Sequence, residues 1–297
     1  MIHILPSKRT GIYYLEYCRV SQADERIVYN KSDKGYEKFF SIPEQNTSVI
    51  LLGSGTSITQ AAARQLGDAG VMIAFVGGGG TPLFMGSFSE YRPNEYFFKY
   101  LEKWQNEEKK LIIAKNFQKR RIEFVNEVWH KNKSLKDISG ALEKANSEYY
   151  KKIEKTENTF ELLGYEANYA KNLYKISLEA LGYKGNFLRE PGKKDDKDVF
   201  NSYLDNGNYL AYGISSVALW TLGLPFQMAV IHGKTRRGAF VFDVADIVKD
   251  AVIMPSALEA AINGDLRSSM RKKCIRSIID NKALDYIFET LKTEVNR

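Results

Sequence analysis

Cysteine is scarce in this chain, and its placement excludes two classes of protein. The 297 residues include two cysteines, Cys18 and Cys274, which are too far apart to form the paired spacing of a zinc ribbon or a redox motif. Two cysteines are also too few for a disulfide-stapled secreted domain, so a reducing, cytoplasmic location is expected. The N-terminus has no long apolar run after its first charges, so no signal peptide is predicted.

Uninterrupted apolar segments are rare as well. Residues 210–231 carry no formal charge and are long enough to cross a bilayer. Gly223 and Pro225 interrupt this stretch, and both residues favour the end of a helix. We therefore expect a buried helix that stops near Gly223, and no membrane span.

Two segments resemble phosphate-binding loops, and each lacks a required glycine. Residues 53–58 follow an apolar run, but Ile58 stands at the third glycine of a dinucleotide-binding loop. Residues 228–235 end like a P-loop, but Met228 stands where the first glycine is needed. Neither nucleotide-binding fold is predicted, although a phosphate contact at a helix start near Thr56 stays open.

Positive charge is in excess. The chain has 43 Lys and Arg against 36 Asp and Glu, a formal net charge of +7. This balance favours an acidic partner such as nucleic acid. Basic clusters lie at residues 115–121 and 267–276. Either cluster alone is typical of a solvated helix face, and the two together favour a groove for a polyanion, with Arg120 and Arg121 in its wall.

The hydrophobic pattern changes near residue 90. Residues 1–90 favour strands, with a strand–helix–strand unit whose helix is predicted to be capped by Thr56 or Ser57. Residues 91–297 favour helices throughout. The predicted helices cover residues 96–126, 135–155, 159–181, 199–222, 243–262 and 267–294. Pro255 is expected to break the segment 243–262. The sequence therefore predicts an α+β fold, with a small N-terminal β-rich domain at 1–90 and an all-helical domain at 91–297.

The segment from residue 232 to 246 concentrates reactive side chains. His232, one of 3 histidines, precedes two carboxylates, Asp243 and Asp246, which would share one face of a helix. Imidazole with carboxylates suits a divalent cation, and nearby cations suit a phosphodiester. Those cations are Lys234, Arg236 and Arg237. The alternatives are a histidine buried in the core and an Asp243 that merely caps a helix.

A second acid stands in an apolar helical context. Glu166 lies within residues 164–174, among aromatic and aliphatic neighbours. An unpaired glutamate is costly to bury, so this residue is either exposed or part of a site that compensates its charge. The pattern alone favours the exposed alternative.

These segments together resemble the Cas1 family, the integrase and endonuclease subunit of CRISPR spacer acquisition. The resemblance covers nearly the whole chain and looks closest to type I, subtype F members. Its segments are 51–58, the Glu166 helix with Ala170, Lys171 and Tyr174, then 189–201, 203–210 and 232–250. One departure is Ala167, where many members have glycine.

The resemblance implies a metal-dependent activity on DNA. Glu166, His232 and Asp246 match the ligands of a Mg²⁺ or Mn²⁺ ion, and Asp243 matches a second acid that supports the site. The implied reaction inserts spacer DNA into a CRISPR array through attack by a 3′-OH. The basic residues then assigned to DNA are Lys234, Arg236, Arg237, Lys171, Arg120, Arg121 and Arg189.

The resemblance also implies an assembly. It implies a homodimer formed through the N-terminal domain, double-stranded and branched DNA as substrates, and a Cas2 partner, possibly fused to a helicase-nuclease. Exposed aromatic residues on the strands would suit the dimer, and the candidates are Tyr13, Tyr14, Tyr17 and Phe39. Two other functions stay open: a general structure-selective metal-dependent nuclease, and a non-catalytic DNA-binding module.

Overall fold

The computed structural model describes residues 4–33, 36–77, 81–87, 94–135, 137–190, 198–233 and 237–297. The strands in these ranges are β1 (Gly11–Leu15), β2 (Arg19–Ala23), β3 (Arg26–Asp33), β4 (Tyr36–Ile42), β5 (Thr47–Leu52), β6 (Ser57–Ile58), β7 (Met72–Phe75) and β8 (Leu83–Met85). The helices are α1 (Gln60–Asp68), α2 (Asn94–Trp104), α3 (Glu107–Lys131), α4 (Ser139–Lys155), α5 (Thr159–Ala180), α6 (Val199–Thr221), α7 (Ala239–Asp246), α8 (Lys249–Val252), α9 (Met254–Ile262), α10 (Arg267–Asp280) and α11 (Ala283–Asn296). Apart from α1, the strands come first and the helices follow, which confirms the predicted α+β class.

The strands form two sheets. The first has the order β1-β5-β7-β8, with β1, β5 and β7 parallel and β8 antiparallel. The second has the order β4-β3-β2-β6, in which β2, β3 and β4 are antiparallel neighbours. The parallel pair β5 and β7 is joined through α1, as the predicted strand–helix–strand unit requires.

The helix of this unit begins later than predicted. Thr59 is its N-cap and accepts a hydrogen bond from the Ala62 backbone N–H at 3.3 Å. The prediction of Thr56 or Ser57 was wrong because Ser57 lies in β6, which pairs with β2 and keeps the backbone extended. Thr56 instead donates its hydroxyl to the Leu15 carbonyl at 3.1 Å.

Strand β5 is buried on both faces. Val49 and Leu51 belong to the large core shared with the helices, whereas Ile50 and Leu52 belong to a second core around α1. Alternate residues of a strand point to opposite faces, so an unbroken apolar run is what two covered faces require. Helix α6 lies close to this sheet, since a Cβ added at Gly213 would be 3.4 Å from Val49.

The predicted boundary between the two domains, at residue 90, lies outside the described residues.

Three predicted helices are divided in the structure. Segment 96–126 is interrupted at Asn106, whose side chain accepts the Lys109 N–H at 2.9 Å and caps α3. Segment 267–294 is interrupted at Lys282, which has a left-handed φ of 51°. Segment 243–262 comprises three short helices, and the first begins at Ala239. Asp243 is therefore inside a helix, and its interpretation as an N-cap was wrong.

The helix expected to stop near Gly223 does so. Helix α6 ends at Thr221, and Gly223 follows with a left-handed φ of 68° that glycine adopts without steric cost. No helix within the described ranges is long and apolar enough to cross a membrane.

Arg271 on α10 joins the helices to the first sheet. It donates to both carboxylate oxygens of Glu16 at 2.8 Å and to Asn206 at 2.6 Å, and its guanidinium lies 3.7 Å from the Tyr14 ring centroid. The Arg271 side chain is almost fully buried, so these contacts are shielded from water. This cluster fixes the end of β1 against α6 and α10.

We expect Arg271→Met to lower the free energy of unfolding by about 2–3 kcal/mol. Breaking a fully buried ion pair typically costs about 3–5 kcal/mol. The expected value is smaller because the Glu16 carboxylate keeps partial contact with water. Urea unfolding followed by circular dichroism measures it. The control Arg267→Met removes an exposed side chain bonded to Ser202 and should change the value by less than about 0.5 kcal/mol. Equal effects of the two variants would contradict this interpretation.

Candidate metal and catalytic site

The candidate site lies where several helices meet. Helix α5 carries Glu166, the segment before α7 carries His232, and α7 carries Asp243 and Asp246. Three further charged residues join them: Arg121 from α3, and Lys249 and Asp250 from α8. All three carboxylates of α7 and α8 are buried, and so is Glu166.

Asp243 holds the backbone of the segment that carries His232. Its Oδ2 accepts the N–H groups of Val230 at 2.6 Å and Ile231 at 3.0 Å, and its Oδ1 accepts the His232 N–H at 3.0 Å. The side chain is completely buried. Each oxygen is thus committed to backbone donors, so Asp243 supports the segment that carries His232.

Asp243 also orients the His232 ring. Its Oδ1 lies 2.6 Å from His232 Nδ1. An ionised carboxylate only accepts, so in the neutral ring Nδ1 carries the proton and Nε2 carries the lone pair. In metal-binding histidines one ring nitrogen typically binds the cation while the other donates its N–H to a carboxylate, and His232 has this second bond. Burial lowers the pKa of His232, but the hydrogen bond to Asp243 and the negative charge of Asp246 raise it above its usual value overall.

Asp246 faces the same ring from one turn further along α7. Its Oδ2 lies 3.9 Å from His232 Nε2, and its Oδ1 is paired with the Lys249 ammonium. Burial opposes ionisation of this carboxyl, yet the charges of Lys249, His232 and Arg121 hold its pKa below the usual range. The Oδ2 atom is buried and has no hydrogen-bond partner within the described residues.

Glu166 joins the cluster through Arg121. The guanidinium Nη1 donates to Glu166 Oε1 at 2.6 Å, and Nε donates to Asp250 Oδ2 at 2.7 Å. The Arg121 side chain is fully buried. Its assignment to DNA was therefore wrong: a side chain enclosed by protein, with each nitrogen bonded to a buried partner, does not reach a phosphate.

The chemistry of the donors suits a divalent cation, although the three predicted ligands do not converge as they stand. Among the residues that the structure describes, no three His, Cys, Asp or Glu side chains are grouped closely enough to hold a metal ion. His232 Nε2 and Asp246 Oδ2 nevertheless lie within the span of about 4.2 Å that two bonds of about 2.1 Å reach. A buried carboxylate oxygen without a partner is costly unless something binds it. The residues present therefore fit a cation here.

The residues assigned to DNA fall into different environments. Lys171 on α5 and Arg237 before α7 are exposed. Arg120 is partly exposed and bonds Glu123, Glu289 and Thr290. Arg189 bonds Asn201 and Asp205. Lys234 and Arg236 lie outside the described residues. Lys171 and Arg237 therefore remain the best placed of the set to contact a ligand in solution.

The aromatic residues proposed for a dimer surface also differ in their exposure to solvent. Tyr14 packs against the large core beneath Arg271, and Tyr13 packs against the second core, so neither is a plain surface residue. Tyr17 is 76% exposed and Phe39 is 63% exposed. The dimer remains a prediction, with Tyr17 and Phe39 as its accessible aromatic side chains.

Sequence reasoning missed three participants: Arg121 as a partner of Glu166, and Lys249 and Asp250. A signal was present for Arg121, because it is spaced four residues after Phe117 and before Val125, both buried on α3. Lys249 follows Asp246 by three residues, a spacing that allows an ion pair on a helix.

Comparisons with known proteins show which family the chain is similar to. A profile of the family described as CRISPR associated protein Cas1 matches residues 12–283. A Pseudomonas aeruginosa protein named CRISPR-associated endonuclease Cas1 is 41% identical over 310 residues, which cover 99% of this chain and 95% of the relative. A solved TtCas1–DNA complex has a TM-score of 0.71 at 20% identity, covering 97% of this chain and 92% of that chain. A casposase bound to integration product has a TM-score of 0.70 at 15% identity, covering 91% and 82%. Because these identities are low, the two structures establish a shared fold with this chain and nothing about its activity.

Proposed function

The chain belongs to the Cas1 family of CRISPR-associated proteins, and on that premise we propose that it is a divalent-metal-dependent DNA endonuclease and integrase. Its reaction is the insertion of spacer DNA into a CRISPR array. The observation that carries the proposal is the pair formed by His232 and Asp246: an imidazole oriented by Asp243 faces a buried carboxylate oxygen without a hydrogen-bond partner in the described chain.

The proposed ligands are Glu166, His232 and Asp246. Mg²⁺ or Mn²⁺ bound there would polarise a phosphoryl oxygen and help to align the attacking oxygen. Asp243 keeps the imidazole in the tautomer that offers Nε2, and Lys249 offsets part of the charge of Asp246. Arg237, exposed just before α7, can offset the charge of a bound phosphodiester.

The site supports two related substitutions at phosphorus. In cleavage, water attacks the phosphodiester, the P–O bond to the leaving 3′-oxygen or 5′-oxygen breaks, and that oxygen takes up a proton. In integration, a DNA 3′-OH attacks instead, so one P–O bond forms while another breaks, and no oxidant or reductant is needed. The same residues serve both, since the two reactions differ only in the attacking oxygen.

The proposed partners follow from the family and from the charge of the chain. Double-stranded and branched DNA suit a protein of net charge +7. A homodimer through the N-terminal strands and a Cas2 partner, free or fused to a helicase-nuclease, complete the proposal.

One assay separates this function from the alternatives. A short duplex with 3′-OH ends is incubated with a repeat-containing plasmid, with and without Cas2, in Mg²⁺, in Mn²⁺ or in excess chelator. An integrase joins the donor to the plasmid only when a cation is present and the 3′ end is unblocked. Cleavage without joining would favour a general nuclease, and binding without either reaction would favour a DNA-binding module.

The exposed cations should act on DNA through charge alone. We expect Arg237→Ala and Lys171→Ala each to weaken duplex binding several-fold for every sequence. Each should also lower the slope of log affinity against log salt by about 1, because one phosphate contact is lost. Fluorescence anisotropy at several salt concentrations measures both quantities. Lys292→Ala, an exposed lysine on α11, is the control. A salt slope unchanged in both variants would remove Arg237 and Lys171 from the DNA surface.

A further inference from the structure

The guanidinium of Arg121 is enclosed, and each of its three nitrogens donates at least one hydrogen bond. Its Nη1 donates to Glu166 Oε1 at 2.6 Å and to Gln118 Oε1 at 3.1 Å. Its Nε donates to Asp250 Oδ2 at 2.7 Å, and Nη2 bonds the same oxygen. All three guanidinium nitrogens therefore have acceptors, and those acceptors come from α3, α5 and α8.

The surroundings of Arg121 are themselves fixed. Its guanidinium lies 5.4 Å from the Tyr169 ring centroid, and the Tyr169 ring stacks on that of Tyr149 at 4.4 Å. The Tyr149 hydroxyl donates to Gln118 Oε1 at 2.9 Å. The backbone carbonyl of Asp250 accepts from Trp129 Nε1 at 3.1 Å. A planar cation held at every nitrogen and lying against an aromatic ring has few alternative rotamers.

This arrangement determines what Glu166 can offer to a cation. One lone pair of Oε1 is taken by Arg121, which leaves the other lone pair of Oε1 and both of Oε2. Glutamate has three side-chain torsions, and ordering them on binding would cost affinity. Arg121 restricts these torsions in the fold before any ligand arrives, so Glu166 has less freedom to lose when it shifts onto the cation.

We infer that Arg121, anchored by Asp250 and Gln118, is a positioning residue that fixes Glu166 as a ligand of the divalent cation. The inference rests on the proposed metal-dependent function. Lysine cannot replace arginine in this role, since an ammonium group lacks the planar fork that bonds Glu166 and Asp250 together. Arg121→Lys therefore keeps the charge of the site and removes the geometry.

Two other roles for Arg121 predict different behaviour. If it only balanced the charge of Glu166 and Asp250, lysine would preserve cation affinity. If it only stabilised the fold, lysine would lower the unfolding temperature, and the folded protein would bind the cation as before. Positioning predicts weaker binding by a folded protein of unchanged charge.

The experiment is Mn²⁺ titration of the full chain by isothermal calorimetry, with the bound fraction checked by electron paramagnetic resonance. Arg121→Lys is expected to weaken Mn²⁺ binding by about 10–100-fold, the usual effect of losing a partner of a metal ligand. Cleavage of branched DNA by the variant should recover at saturating Mn²⁺, because the affected quantity is the cation concentration required. Circular dichroism and thermal unfolding establish that the variant is folded.

Two further variants keep the outcome decisive. Gln118→Met removes one acceptor of Arg121 without changing the charge of the site. It should weaken Mn²⁺ binding by up to about 10-fold. If Arg121→Lys does not fold, the Mn²⁺ affinity of Gln118→Met tests the positioning role instead. Arg271→Lys is the matched control, because it removes an equivalent buried fork from the Glu16 cluster. It should lower stability and leave Mn²⁺ affinity unchanged.

The outcomes distinguish a failure of the positioning role of Arg121 from a failure of the proposed metal-dependent function. Parent-like Mn²⁺ affinity in folded Arg121→Lys, or in Gln118→Met where only that variant folds, overturns the positioning role and leaves the metal site standing. Equal weakening by Arg271→Lys also overturns it, because a general loss of stability would then explain the effect. Absence of Mn²⁺ binding by the parent overturns the proposed metal-dependent function, and the positioning role with it.

Discussion

His232→Ala is expected to reduce cleavage and strand transfer by at least about 100-fold while the protein stays folded. Losing a partner of a metal ligand typically costs about 10–100-fold, and losing the ligand itself should cost more. The fold should survive because Asp243 still accepts the backbone N–H groups of Val230, Ile231 and residue 232. A gel assay on branched DNA in Mn²⁺ measures the rate, and circular dichroism checks the fold.

His130→Ala is the matched control for this experiment. His130 is exposed at the end of α3, and its Nδ1 lies 2.7 Å from the Asn126 carbonyl of the preceding turn. Its removal should leave both reactions at the parental rate. If His232→Ala retained activity within a few-fold of the parent, the site would lie elsewhere in the chain.

Asp243→Ala is expected to lower the free energy of unfolding by at least about 3 kcal/mol. The substitution leaves three buried backbone N–H groups without an acceptor, and each costs about 1–3 kcal/mol. This is a large fraction of the roughly 5–15 kcal/mol that stabilises a typical domain. Chemical denaturation followed by tryptophan fluorescence measures the change.

A partly exposed aspartate provides the comparison for Asp243. Asp285 on α11 pairs with Lys8 at 2.9 Å at the surface, where an ion pair contributes less than about 1 kcal/mol. Asp285→Ala should therefore have a small effect. A similarly small effect of Asp243→Ala would show that the segment before α7 does not depend on this carboxylate.

Much of the fold was accessible from local patterns. The strand–helix–strand unit predicted within residues 1–90 is present as β5, α1 and β7, and Gly223 predicted the end of α6. The divisions at Asn106 and Lys282 were missed, because helical periodicity continues across both positions although a cap or a left-handed residue intervenes. Local patterns therefore identified the elements more reliably than their ends.

The candidate site was also predictable only in part from local patterns. The spacing of Asp243 and Asp246 predicted two acids on one helix face, and both lie in α7. The role of Asp243 was not accessible, since its partners are backbone groups of a segment with no regular structure. Arg121 was assigned to the surface because Lys119 and Arg120 beside it suggested a basic face. The periodicity of α3 buries Arg121, and its acceptors come from distant parts of the chain.

The most direct test of the central claim is the position of Mn²⁺ in a crystal of the full chain, located by anomalous scattering. The account predicts one strong peak within about 2.0–2.6 Å of His232 Nε2, Asp246 Oδ2 and a Glu166 oxygen. It predicts that Asp243 stays bonded to His232 and the backbone and does not bind the cation. A peak held by other residues, or none at saturating Mn²⁺, would contradict it.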